Sequence, residues 1–195
     1  MNPEVLTSIL AAIDFRNSKD PQQVEHFSKT LGAAELYGLR MSERLKTFCD
    51  TPTAALVIAT RAQHIERWHL ARSDYPMDRP GYHRWRTDLA KHHAQITTDI
   101  LTDHKLDADL IEEVAALLKK ENLKSNPNTQ ILEDVACLVF LEFYLADFAS
   151  KHSEEKLISI IRKTWRKMSE SGQQTALSLT FEPHIESLIK KALKA

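Results

Sequence analysis

His93 stands where an apolar residue belongs, because Leu89, His93, Ile96 and Ile100 recur at helical spacing and their shared face should turn inward. His64 repeats the pattern beside Val57 and Trp68, and so does Asp134, in line with Leu138, Leu141, Leu145 and Phe148. A polar group on an inward face needs a partner. Two imidazoles and a carboxylate from three separate helices could meet at one interior point and hold a divalent metal ion there, leaving a position for a water that becomes a nucleophile. His64, His93 and Asp134 are therefore the candidate metal ligands. Glu133, about 100° around the helix from Asp134, is the candidate acid/base that positions or activates the water. The competing reading of each residue is local. A helical histidine is usually a hydrogen-bonded core or surface group, and Asp134 has Gln130 one helical turn away.

Between Arg61 and His93 lie Arg61, Arg67, Arg72, Arg79, Arg84, Arg86 and Lys91, offset by Glu66, Asp74, Asp78 and Asp88. Arginine grips phosphate or carboxylate with paired donors. Arg61, Arg84 and Arg86 are the candidate substrate contacts, with Tyr82, His83 and Trp85 beside them as ring-bearing cover. A phosphorylated small molecule is the expected ligand. Nucleic acid is the alternative partner, with bases and backbone contacted by residues 75–86 and by Lys163, Arg166 and Lys167. A formal net charge of -1 disfavours a chain dominated by nonspecific nucleic-acid attraction. The later basic run also reads as the solvated side of a helix that buries Leu157, Ile158, Ile161 and Trp165.

The elements that must position these groups are helices. Apolar spacing predicts them over about 1–15, 54–68, 85–101, 129–150, 154–168 and 183–193. Asp20 and Pro21 open a segment toward Phe48 that Gly32 and Gly38 divide, and Asp107 caps a helix toward Lys120. Pro76, Pro80 and Gly81 mark residues 69–81 as an ordered surface loop. No sustained alternation competes, so the fold is expected to be all-α: a single multi-helix domain spanning 1–195. With 195 residues, 43% of them hydrophobic, the chain suffices for one substantial core. No secretory leader or membrane-length apolar run is visible, so a cytoplasmic protein without a membrane partner is expected. The 4 glycines form no phosphate-binding loop, and the 2 cysteines suggest neither a disulfide framework nor a metal pair.

The segments RAQHIERW (61–68), YPMDRPGYHRWR (75–86), LEDVACLVFLE (132–142), ADFASKH (146–152) and IRKTWRKM (161–168) resemble the family known as domain of unknown function 4202 over nearly the full chain. A more distant similarity is to the HD-domain metal-dependent phosphohydrolases, which gather histidines and aspartates from several helices around a divalent ion. That resemblance implies an HD-like helical fold and hydrolysis of a nucleotide or another small phosphorylated anion. It places a metal on His64, His93 and Asp134, water activation on Glu133, and phosphate neutralisation on Arg84 or Arg86. The sequence departs from the pattern at the His-Asp pair, where Gln63 precedes His64, and at Tyr37, in the region of the earlier histidine. An altered ligand set, or a non-catalytic binding or structural interaction protein, follows from those departures.

Overall fold

The computed structural model describes residues 1–123 and 125–194 and divides into two compact units, 1–129 and 130–195. The N-terminal unit holds α1 (Pro3–Asn17), a hairpin of β1 (Gln23–His26) and β2 (Lys29–Gly32), then α2 (Ala33–Phe48), α3 (Ala54–Arg61), α4 (Arg79–Asp103) and α5 (Ala108–Lys119). α6 (Pro127–Val139) begins at its end. In the C-terminal unit α6 passes through a π-helical turn (Phe140–Tyr144) into α7 (Leu145–Ala149), followed by α8 (Glu154–Lys167), α9 (Glu170–Leu177) and α10 (Pro183–Leu193). The all-α expectation holds, since the two short strands are the only sheet among the described residues. The division falls in the first turn of α6, so no composition shift marks it in the sequence.

In the N-terminal unit α3 packs on α1, α2 and α5, and α4 packs on α1 and α5. Their inward faces supply Ile9, Ile13, Met41, Leu56, Ile58, Leu89, Leu101, Leu117 and Leu118, all fully buried and each contributing about 1.5–3 kcal/mol by burial. In the C-terminal unit α10 packs against α8 and α7, with Leu157, Ile161, Ile185 and Leu188 buried. Among the described residues no helix is long and apolar enough to cross a membrane.

Three elements of the N-terminal unit differ from expectation, each for a physical reason. The hairpin occupies the segment read as helical. Its tip, Phe27 (φ 45°) and Ser28 (φ 61°), is left-handed at both central positions, a conformation usually announced by Asn-Gly. Asp20 does cap, but across the hairpin: one oxygen accepts from Gln22 N (2.9 Å) and the other from Ala34 N in the first turn of α2 (2.9 Å). The expected loop before Trp85 yields to helix from Arg79, because Pro80 fits a first turn and Asp78 accepts from Gly81 N at 2.7 Å.

The third difference sets up the site. α3 stops at Arg61 instead of running to Trp68. The chain then turns through Glu66, left-handed at φ 48°, into a short 3-10 turn, Arg67–His69. That conformation is uncommon for a residue with a long side chain and must be held from outside. Asn17, fully buried at the end of α1, accepts from Glu66 N at 3.0 Å. Arg16 pairs with the Glu66 carboxylate at 2.6 Å, and His92 Nε2 lies 3.1 Å from the Glu66 carbonyl. Asn17→Ala should therefore lower stability by about 1–2 kcal/mol, read as a fall in thermal midpoint, through the stranded Glu66 amide. An unchanged midpoint would mean that the turn holds without it.

Candidate functional site

A cleft of about 410 Å³ lies in the N-terminal unit between the turn after α3, the first half of α4 and the end of α5. Gln63, His64 and Arg67 come from the turn, Arg86, Lys91 and His93 from α4, and Lys119, Lys120 and Glu121 from the end of α5. The early stop of α3 frees residues 62–69 from helical geometry and brings His64 and Arg67 to this wall. Arg67 is anchored by its guanidinium, which lies 4.8 Å over the Trp85 ring. Trp85 is in turn fixed by a hydrogen bond from its indole N–H to the Leu70 carbonyl (3.0 Å).

His64 stacks on Tyr37, with ring centroids 3.7 Å apart and planes 13° from parallel, and its centroid is 6.1 Å from that of His93. The structure thus brings two of the three proposed ligands near each other. Burial holds both imidazoles well below the ordinary histidine range, and nearby charge adds to it: Arg67, Arg86 and Lys120 face both rings, with His93 bearing on His64 and His92 on His93. Both are neutral at pH 7. His93 is 3% exposed, and among the described residues its Nε2 has no hydrogen-bond partner, nor has the buried Gln63 Oε1. Arg67 is itself pushed down to about 10, by burial first and then by repulsion from Arg86.

The cleft is thus a concentration of positive charge. Among the described residues that line it, Glu121 is the one carboxylate, and it pairs with Lys119 at 3.7 Å. Bringing Arg86 close enough to lower the Arg67 pKa costs stability, and an anion between them removes that cost. The same field opposes a divalent cation on His64 and His93. The described residues also contain no group of three His, Cys, Asp or Glu side chains placed to hold a metal ion. The lining therefore suits an anion and fits a metal poorly.

The other expected site residues have other surroundings. Arg61 is not part of the lining. Its guanidinium is ion-paired with Asp14 at 2.8 Å and reaches the Gly38 carbonyl at 3.4 Å, joining α3 to α1 and α2. Burial raises the Asp14 pKa, with Arg61 opposing the rise. Arg84 is exposed on α4 and outside the lining, while Arg86 is within it. Glu133 and Asp134 belong to the C-terminal unit. Glu133 pairs with Lys167 at 3.2 Å. Asp134, 1% exposed, accepts from Ser169 N (2.8 Å), Ser169 Oγ (2.6 Å) and Gln130 Nε2 (3.1 Å), which makes it a brace for the start of α9. Of the aromatic residues proposed to stack on nucleic-acid bases, Tyr75 is hydrogen-bonded to Asp88 (3.1 Å) and Trp85 carries Arg67, whereas Tyr82 is exposed.

Sequence reasoning missed Arg67 and Lys120 as site residues. Arg67 was visible only as one of a run of basic residues. Lys120 read as an ordinary cation at a helix end.

No curated protein and no solved structure matches the chain. The family model for a domain of unknown function, DUF4202, matches residues 7–189, and the chain belongs to that family.

Proposed function

We propose that the N-terminal unit binds a small phosphorylated anion and hydrolyses its phosphate ester. The observation that carries this reading is the cleft's charge: Arg67 and Arg86 lie near each other beside a neutral His93 whose Nε2 has no hydrogen-bond partner among the described residues, and the one described lining carboxylate, Glu121, is paired with Lys119. Two guanidiniums offer forked donors that match phosphate oxygens and neutralise charge on the phosphoryl group. A neutral imidazole can take a proton from the attacking water as its oxygen bonds to phosphorus, and return it to the departing ester oxygen as that bond breaks. His93 is assigned that role, and His64 is held by Tyr37 as the second wall. The reading keeps the substrate class that the HD-domain resemblance implies, while resting the chemistry on cationic side chains and histidine.

The test is calorimetric titration with inorganic phosphate, followed by turnover assays on phosphate monoesters and mononucleotides with and without added divalent ions. Saturable phosphate binding is expected in the wild-type protein. Arg86→Gln is expected to weaken it at least tenfold and to lower turnover in parallel, with helicity retained because Arg86 forms no ion pair among the described residues. Absence of phosphate binding, or binding indifferent to Arg86→Gln, would overturn the reading. Tighter binding of an oligoribonucleotide with a steep salt dependence would replace it with a nucleic-acid site.

A further inference from the structure

We infer that Gln63 is a positioning residue of this cleft, its amide oxygen holding one hydrogen of the attacking water while His93 Nε2 takes the other as a proton; this rests on the hydrolytic reading above. Gln63 and His93 are both buried and both line the cleft. Of the buried side-chain atoms that have no hydrogen-bond partner among the described residues, Gln63 Oε1 and His93 Nε2 are the two that belong to the lining. A buried acceptor without a donor is destabilising, so its retention points to a partner outside the fold.

Two other glutamines supply an internal comparison. Gln130 Nε2 donates to Asp134 (3.1 Å) and to the Lys167 carbonyl (3.0 Å), and Gln173 Nε2 donates to the Trp165 carbonyl (3.0 Å). Both are only half-buried, yet both brace the chain around them. Gln63, 6% exposed, leaves its amide oxygen unused. It is nonetheless mounted rigidly. Ala62 and Ile65 on either side are fully buried, Ile65 N donates to the Ala62 carbonyl at 2.9 Å, and the turn ends at the Glu66 that Asn17 and Arg16 hold.

The chemistry of the two atoms selects their partner. With its ring proton on Nδ1, neutral His93 presents Nε2 as an acceptor, and an amide oxygen is an acceptor always. A pair of acceptors is the wrong complement for phosphoryl oxygens, which are acceptors too and which Arg67 and Arg86 already suit. It is the right complement for water, which offers two hydrogens. As the water oxygen bonds to phosphorus, the first hydrogen passes to His93 Nε2 and then to the ester oxygen, which leaves with the electron pair of the broken P–O bond. The second stays on the product phosphate, aimed until then by Gln63. A glutamine amide that orients an attacking water is an established device of phosphoryl transfer. Gln63 exchanges no proton, so its effect falls on kcat and not on phosphate affinity.

The experiment compares wild-type and Gln63→Met proteins, methionine having a similar shape without the amide. It records orthophosphate affinity by calorimetry, kcat and KM for 4-nitrophenyl phosphate, thermal midpoints, and the ratio of inorganic phosphate to methyl phosphate formed when methanol is added. Gln63→Met should lower kcat about a hundredfold, change orthophosphate affinity by less than about threefold, and melt no lower than the wild type, since it removes an unpaired buried amide. Methanol has one hydroxyl hydrogen and offers Gln63 nothing to hold, so the variant's product ratio should shift toward methyl phosphate by about fivefold or more. An unchanged kcat or product ratio in Gln63→Met, or a loss of turnover that comes with lost phosphate affinity, a lower midpoint or failure to fold, overturns the inference while leaving the hydrolytic reading intact. A wild type that binds orthophosphate and turns over no ester overturns both the inference and the hydrolysis, and no phosphate binding by the wild type overturns the site as well.

Discussion

In phosphate-free buffer the N-terminal unit is expected to lose stability steeply as the pH falls below about 6.5, the ordinary histidine value from which His64 and His93 are both lowered. Each is held neutral in the folded state by burial, and then by the charges of Arg67, Arg86, Lys120 and a neighbouring histidine. The unfolded chain places no such restriction and takes up protons as the pH passes 6.5. A group with a depressed folded pKa contributes stability that is present above its unfolded pKa and lost as pH falls toward its folded value. The unfolded state therefore binds up to two more protons than the folded one in this window. Each proton is worth about 1.4 kcal/mol per pH unit, so the slope reaches about 2.7 kcal/mol per unit.

Hydrogen exchange of the α4 amides between pH 7.5 and 5, corrected for intrinsic rates, reads this directly. His93→Leu should halve the slope, and it should raise stability at pH 5 relative to the wild type because Leu fits the apolar face of Leu89, Ile96 and Ile100. A slope unaffected by His93→Leu would mean that acid acts elsewhere. Bound phosphate should flatten the profile as well, since an anion between Arg67 and Arg86 offsets the charge that opposes protonation.

The parts of this fold that were legible in the sequence are those where a single physical signal decides the outcome. α10 begins and ends where its proline start and apolar stripe place it, and α1, α5 and α8 agree within two residues. His93 stood out because its helix is regular on both sides, so the polar intrusion is read correctly from spacing alone. His64 was singled out for a reason the structure does not share: the α3 pattern does not continue through it, and a strained turn held by Asn17, Arg16 and His92 delivers it to the cleft. None of those three partners is near Glu66 in sequence, so no local pattern could report the turn. The hairpin was hidden for a related reason, its left-handed tip residues being Phe27 and Ser28 where glycine or asparagine would have announced it. α9 was hidden by Gly172. That glycine is required because a Cβ there would lie 2.7 Å from an Asp134 oxygen, a contact that only the fold reveals. The proposed anion site was the least legible feature. Arg67, Arg86 and Lys120 come from three elements, and each alone has the look of an ordinary solvated cation.

Asp134→Ala is expected to destabilise the C-terminal unit by about 3 kcal/mol while Asp134→Asn costs about 1 kcal/mol or less. The alanine leaves three half-buried donors without their acceptor: the Ser169 amide, the Ser169 hydroxyl and the Gln130 amide. Ser169 also caps α9 by accepting from Gly172 N at 3.1 Å, so its loss of orientation propagates into that helix. Asparagine keeps one oxygen for the two N–H donors and offers its amide to the serine hydroxyl. It also removes a charge that burial already disfavours, since desolvation raises the Asp134 pKa and the Ser169 bonds, although opposed to it, leave a net rise. A carboxylate serving as a metal ligand would behave differently, because asparagine and alanine would both forfeit its charge and the bound ion with it. Thermal melts of both variants, with exchange rates of the α9 amides, separate the two roles. A large gap between Ala and Asn, with α9 exchanging fastest in Asp134→Ala, identifies the brace. Equal losses in the two variants, accompanied by loss of a stoichiometric ion in elemental analysis, would make Asp134 a ligand.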